Sequence, residues 1–213
     1  MVKVAPSMLS ADFLHLEKDV DMVNANADIF HLDIMDGTFV PNISYGFPVV
    51  EAIASRASRP LDAHLMIVHP EKYVERFARA GVEMLSFHLD AAGDPSGVLG
   101  LIRENGMKPG LAINPDIEVD RLFPYIRECG FIVIMSVFAG FGGQKFIEST
   151  YGRVERLKKE ILSQGADCAI EVDGGVSPDN ASALADAGAD ILVAGSSVFR
   201  AADPAAAIRA IRG

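Results

Sequence analysis

The sequence predicts an α/β fold: one (β/α)8 barrel domain spanning residues 1–213. Three observations carry that prediction. Strand-like apolar segments alternate with amphipathic stretches from end to end, the rhythm of repeated βα units. The strand segments are near-continuous apolar runs, which suit a parallel sheet covered by helices. Eight such units fit the chain, and no Pro/Gly/Ser-rich linker divides it, as in a compact barrel. An open doubly wound sheet usually carries G-x-G-x-x-G after its first strand. Here Ser7-Met8-Leu9-Ser10-Ala11-Asp12 follows instead, without a glycine.

In chain order, Val2–Leu9 is the first strand candidate and Phe13–Asn24 the amphipathic stretch after it. Ile29–Met35 and Leu61–Ile67 are the next strands, with helical Phe47–Arg56 between them. Pro70–Ala80 is helical and opens on proline, which the first helical position tolerates. Met84–Leu89, Lys108–Ile113 and Phe131–Val137 continue the strands. Tyr151–Gln164, Cys168–Val172, Pro178–Ala187, Ile191–Ala194 and Pro204–Ile211 complete the alternation of helix and strand. The joints Ala27-Asp28-Ile29, Gly81-Val82-Glu83-Met84 and Gly188-Ala189-Asp190-Ile191 resemble one another, as short αβ loops require.

Composition narrows the partners. Acidic residues outnumber basic ones 29 to 19, for a formal charge of −10, and no Lys/Arg run interrupts this. Nucleic acid and anionic membrane are therefore not expected partners. A small anion is compatible, because backbone amides bind it locally. Cys129 and Cys168 form no CxxC pair and are expected to be buried thiols of a reducing compartment. The N-terminal residues lack a signal-peptide apolar region, and no run of 18 apolar residues occurs. Cytoplasmic residence is the expectation.

Three segments share one pattern: His31-Leu32-Asp33-Ile34-Met35-Asp36-Gly37, Asp62-Ala63-His64-Leu65-Met66 and Glu171-Val172-Asp173-Gly174-Gly175. Strand residues two apart point the same way, about 6.6 Å apart. His31 shares a face with Asp33, and His64 with Met66. Two imidazoles and two carboxylates at strand ends suit one divalent ion: zinc first, with iron(II), manganese or cobalt as alternatives. Any one of these residues alone would pass as a turn cap; four together at strand ends argue for a site. His15 and His69 lie at helix starts and receive no role. His88 is read as a supporting or core residue, with ligation the minority alternative.

Glycine loops follow the last three strand candidates: Gly140-Phe141-Gly142-Gly143-Gln144, Gly174-Gly175 and Gly195-Ser196-Ser197. Loops after strands seven and eight form the usual phosphate site of this architecture, and glycine lets amides surround an oxyanion. These three stretches contain no Lys or Arg, so backbone amides would do the binding. Met35, Met66 and Met135 stand at strand ends. They are either core filling or a soft wall beside a charged intermediate.

These motifs closely resemble the ribulose-phosphate 3-epimerase family. The matching segments are Ala5-Pro6-Ser7 with Leu9 through Phe13, HLDIMDGTFVPN from His31 to Asn42, DAHLM from Asp62, GLAINP from Gly110, GFGGQ from Gly140, EVDGG from Glu171, and Ala194-Gly195-Ser196. The resemblance implies a TIM barrel of the ribulose-phosphate-binding type. It also implies a metal-dependent epimerase interconverting D-ribulose 5-phosphate and D-xylulose 5-phosphate in the pentose phosphate pathway. Carried over by motif, His31, Asp33, His64 and Asp173 would be metal ligands, with Asp33 and Asp173 also the acid–base pair. Ser7 and His64 would touch substrate, and Gly140, Phe141, Gly142, Gly143, Asp173, Gly174, Gly175, Gly195 and Ser196 would surround it and its phosphate. A small phosphorylated ketose is the expected partner and a homo-oligomer the expected assembly.

The chain departs from the family pattern twice. Phe138-Ala139 stands where Asn-Pro or Glu-Pro is usual, and His88-Leu89-Asp90 where His-x-Glu is usual. The first keeps D-allulose 6-phosphate open as an alternative substrate. Barrels related to orotidine-monophosphate decarboxylase use Asp-x-Lys-x-x-Asp, whereas here Met35 replaces the lysine. A non-catalytic sugar-phosphate-binding barrel would need neither carboxylate.

Overall fold

The computed structural model describes residues 1–213. Its strands are β1 (Lys3–Pro6), β2 (Phe30–Met35), β3 (Leu61–Met66), β4 (Met84–His88), β5 (Lys108–Ile113), β6 (Phe131–Met135), β7 (Ala169–Asp173) and β8 (Ile191–Ala194). They pair in parallel, in spatial order β1-β8-β7-β6-β5-β4-β3-β2. Between β1 and β2 the ring is closed by a Ser7–His31 bridge and by reciprocal bonds between Val4 and Asp28. The expected barrel is present.

The helices are α1 (Leu16–Asn26), α2 (Phe47–Ala54), α3 (Val74–Arg79), α4 (Pro95–Glu104), α5 (Thr150–Gln164), α6 (Pro178–Ala187), α7 (Ser196–Phe199) and α8 (Pro204–Arg212). Outward strand residues such as Leu32, Ile34, Ala63, Leu65, Ile170 and Val172 join helix residues in one 49-residue core. Burying each large apolar side chain there contributes about 1.5–3 kcal/mol. Inside the ring a smaller cluster includes Ala5, Met84, Ala112, Phe131, Val133, Ile191 and Val193. A Cβ on Gly110 would lie 2.4 Å from the Phe131 ring, so glycine there is what admits this ring. β2, β3, β4 and β7 also place polar side chains inside the ring: His31, Asp33, Asp62, His64, Ser86, His88, Glu171 and Asp173, all buried. The polar positions come from β2–β4 and from β7, with the apolar strands β5–β6 and β8–β1 between them round the ring.

Several boundaries differ from the sequence expectation, each for a local reason. The first strand stops at Pro6, because Ser7 Oγ accepts the Leu9 N–H at 3.3 Å and caps a 3-10 turn over Met8–Ser10. The first helix begins at Leu16 rather than Phe13, since Asp12 bonds the Leu14 N–H and the His15 ring, side-chain bonds that compete with helix. Pro70–Ala80 is not one helix. A 3-10 turn (Pro70–Lys72), entered from His69 at φ 55°, is followed by α3. The connection before β6 is a 3-10 stretch over Val119–Glu128 with Pro124 inside it, where proline removes a donor. Cys129 and Cys168 are free and buried. Burial pushes the Cys168 thiol up to about 12.

Candidate active site

Period-two alternation along β2, β3 and β7 points His31, Asp33, His64 and Asp173 into the barrel, Asp173 from the C-terminal end of β7 and the others from within β2 and β3. Asp33 pairs in register with His64, and Asp173 with Met135. His31 Nε2 stands 3.5 Å from Asp33 Oδ1 and 3.8 Å from Asp173 Oδ2. His64 Nδ1 stands 3.7 Å from Asp33 Oδ1 and 3.5 Å from Asp173 Oδ2. One donor atom from each of the four lies within 4.8 Å of the others. His31 Nε2 and His64 Nδ1 are buried and lack a hydrogen-bond partner. Two orphaned ring nitrogens facing two carboxylates fit a divalent ion with N and O donors.

A second layer holds this set in place. His31 Nδ1 lies 2.6 Å from Asp62 Oδ2 and 3.3 Å from Glu171 Oε1. His64 Nε2 lies 3.0 Å from His88 Nε2. Ser7 Oγ donates to Asp33 Oδ2 at 2.5 Å. Asp62 and Glu171 received no role from the sequence, yet each sits two residues before a site residue and so shares its face. Strand alternation could have flagged both.

The charges are strongly coupled. Burial works against the Asp33 carboxylate, but His31, and then His64, outweigh it and hold it far below the usual carboxylate range. Burial also works against the His31 imidazolium, yet Asp33 and Asp62 hold it well above its ordinary value. His64 is raised to about 9, its two carboxylate neighbours overcoming burial. Burial, then the Asp62 charge, push Glu171 up to about 8. Burial and the neighbouring His64 drive His88 well below the ordinary histidine value.

Above this cluster opens a cleft of about 540 Å³, its mouth included. Ser7, Asp33, Met35, Met66, Met135, Gly140, Phe141, Gly142, Gly143, Asp173, Gly174, Gly175, Gly195 and Ser196 all line it. His31 and His64 do not; they lie fully buried beneath its floor. Gly174 and Gly175 have φ of 116° and 62°, and a Cβ on Gly175 would come within 2.7 Å of the Phe146 backbone nitrogen. These glycines keep backbone exposed where a side chain would fill the cleft wall.

The loop after β6 covers one side of the cleft. Its root is pinned by Asn42 Nδ2 donating to the Gly140 carbonyl at 2.9 Å, and by Ala139 N–H donating to Asn114 Oδ1 at 3.0 Å. Gln144 Nε2 donates to the carbonyls of Phe138 and Phe141 at 2.7 and 2.8 Å, drawing the loop together from within. Phe138 and Phe141 are about half exposed, at 49% and 52%. Asp90, at the second departure, pairs with Arg121 at 3.0 Å, away from the cleft.

Residues 3–199 match the family described as Ribulose-phosphate 3 epimerase family. The chain belongs to this family. Its relatives include the Ribulose-phosphate 3-epimerase of Bacillus subtilis (strain 168), 43% identical over 215 residues and covering 100% of this chain and 99% of that protein. The protein of the same name from Synechocystis sp. is 45% identical over 214 residues, covering 99% of this chain and 93% of its own. The cytoplasmic isoform of Oryza sativa subsp. japonica is 41% identical, covering 99% and 92%. Among solved structures, KGPDC from Streptococcus mutans superposes with a TM-score of 0.73 at 13% identity, covering 100% of this chain and 96% of that one. A tryptophan synthase α-subunit from Pyrococcus furiosus gives 0.73 at 15%, covering 100% and 98%. At such low identity these two show only that the barrel is shared.

Proposed function

We propose that this family member is a metal-dependent epimerase interconverting D-ribulose 5-phosphate and D-xylulose 5-phosphate by proton transfer at C3. The convergence of Asp33 and Asp173 with two orphaned imidazole nitrogens on the cleft floor carries this reading. His31, Asp33, His64 and Asp173 would hold the ion, zinc being proposed and iron(II), manganese or cobalt the alternatives. Once bound, the ion supplies Lewis-acid stabilisation of the negative charge that develops on the ketone oxygen.

The chain's own residues do the rest. Asp33 and Asp173 come from β2 and β7, three strands apart round the ring, so they can address opposite faces of a ketose between them. Asp33, held ionised, takes the C3 proton from one face while the carboxyl of Asp173 returns one to the other; the reverse direction exchanges the roles. The Ser7 hydroxyl occupies Asp33 Oδ2 and so fixes the plane of that carboxylate. Met35, Met66 and Met135 line the cleft with apolar surface and limit water at the reacting carbon. The glycine loops after β7 and β8 are assigned to the phosphate. The loop from Phe138 to Gln144 is assigned the part of a lid, its closure using the remote binding energy of that phosphate.

No helix is long and apolar enough to cross a membrane, and a relative is named a cytoplasmic isoform. The relative's name supports cytoplasmic residence, and the proposed substrate pair would place the enzyme in the pentose phosphate pathway. A homo-oligomeric assembly is proposed as well, since Leu14 and Ile43 stand 89% and 74% exposed. The deciding experiment follows xylulose 5-phosphate formation with and without a chelator. Activity is expected to vanish on chelation and return with added metal. Fully active metal-free protein would end the reading. The Phe138-Ala139 departure at the lid root favours one runner-up, D-allulose 6-phosphate, and a strong preference for it in the same assay would promote that substrate.

A further inference from the structure

We propose that His88 is a positioning residue that sets the tautomer of His64. The inference rests on the reading above, in which His64 meets the ion through Nδ1. An imidazole offering its Nδ1 lone pair carries its proton on Nε2. His64 Nε2 lies 3.0 Å from His88 Nε2. That proton therefore points at the Nε2 lone pair of His88, whose own proton must sit on Nδ1. The two ring planes lie 20° from parallel with centroids 5.0 Å apart. Phe39 packs against His88 at 4.9 Å. Both histidines are buried, at 0% and 2% exposure, so bulk water does not compete for the bond. His88 is absent from the cleft lining; it acts only through His64.

His31 is held the other way round. Its Nδ1 faces Asp62 and Glu171, leaving Nε2 for the cluster. The two imidazoles are thus locked in opposite tautomers, one by carboxylates and one by a neutral ring. A histidine ligand usually gives its second N–H to a carboxylate, carbonyl or water. An imidazole acceptor does the same work here without adding a further carboxylate to Asp33, Asp62, Glu171 and Asp173, which already share the interior.

The test compares Zn²⁺ binding to chelator-stripped wild type, His88→Gln and His88→Leu, by competition with a chromophoric chelator. It adds long-range ¹H–¹⁵N correlation of the imidazoles in Zn²⁺-loaded wild type. Gln places an oxygen acceptor near the position of Nε2; Leu offers none. The expected spectrum shows His64 protonated at Nε2 and His88 at Nδ1. His88→Gln is expected to bind Zn²⁺ within a few-fold of wild type. His88→Leu should bind about 10–100-fold more weakly, with the melting temperature of the stripped protein close to wild type. A His88 protonated at Nε2, a His88→Leu protein binding like wild type, or a His88→Gln protein as weak as His88→Leu would each overturn the inference alone. Wild type that takes no Zn²⁺, or takes it without His64, would overturn the functional reading beneath it. If His88→Leu fails to fold, the wild-type spectrum and His88→Gln decide.

Discussion

Asp173→Asn tests the division of proton handling between the two carboxyl groups. Asp173 Oδ2 lies 3.5 Å from His64 Nδ1 and 3.8 Å from His31 Nε2, and its side chain is 12% exposed. Asparagine has nearly the same shape, and the residue-173 carbonyl still accepts the Ser136 N–H, so the fold should survive. What is lost is one proton carrier and one negative charge of the donor set. General acid–base catalysis is worth roughly 10²–10⁴-fold, or about 2.7–5.4 kcal/mol of barrier. The variant is therefore expected to lose at least about 100-fold in kcat when saturated with metal, with metal content verified by elemental analysis. Isotope exchange gives the sharper readout. Epimerisation needs a carboxyl group on each face, whereas exchange of the C3 proton needs only one. In D₂O the metal-loaded variant should still exchange the C3 proton of the epimer that Asp33 deprotonates, without inverting it. Near-normal turnover, or loss of exchange and inversion together with metal retained, would refute the division of labour between Asp33 and Asp173.

Other outcomes follow from the same geometry. In the metal-free protein His64 is raised to about 9, so it carries a proton at pH 7 that an ion must displace; His31 is shifted in the same direction by Asp33 and Asp62. Calorimetry in buffers of different ionisation enthalpy should show up to two protons released per ion bound, and affinity falling as pH drops; zero release would contradict the donor set. Because the folded-state value of His64 is raised, the stabilisation it gives the metal-free protein is complete below about pH 6.5 and is lost as pH rises through about 9. Denaturant midpoints of stripped protein at pH 6 and 9 check that sign. Gly175→Ala forces a side chain into φ 62° and against the Phe146 backbone at 2.7 Å, whereas Gly195→Ala meets mainly the rotatable Ser10 hydroxyl. The first should cost about 1–2 kcal/mol from the left-handed backbone alone and raise KM while lowering kcat; a Gly195→Ala protein less stable than Gly175→Ala would reverse the argument. Phe138→Asn/Ala139→Pro deletes the N–H that bonds Asn114, so lid-dependent KM should shift while C3 exchange persists. Loss of exchange would show that the lid root takes part in the chemistry.

Much of this molecule is local in origin. Apolar runs such as Phe131–Met135 and the glycine-closed joint at Gly188 specify a covered parallel strand and its turn wherever they occur, and they predict the barrel because one architecture satisfies eight of them. The two-residue alternation in His31-Leu32-Asp33 and Asp62-Ala63-His64 likewise determines which side chains share a face, since a strand has no other choice. Alternation does not say which faces meet. Ring closure brings Asp173 to within 3.5 Å of His64, more than a hundred residues away in sequence. It also decides that His31 presents Nε2 and His64 presents Nδ1, and pairs His64 with His88. The burial of Asp62 and Glu171 under His31, and the Asn42, Asn114 and Gln144 bonds that shape the lid, depend on the same closure. The strand pattern is written in neighbouring residues and can be read along the chain. Partner, tautomer and proton affinity are set by distances of 3–4 Å between residues far apart in sequence, and only the packed barrel defines those.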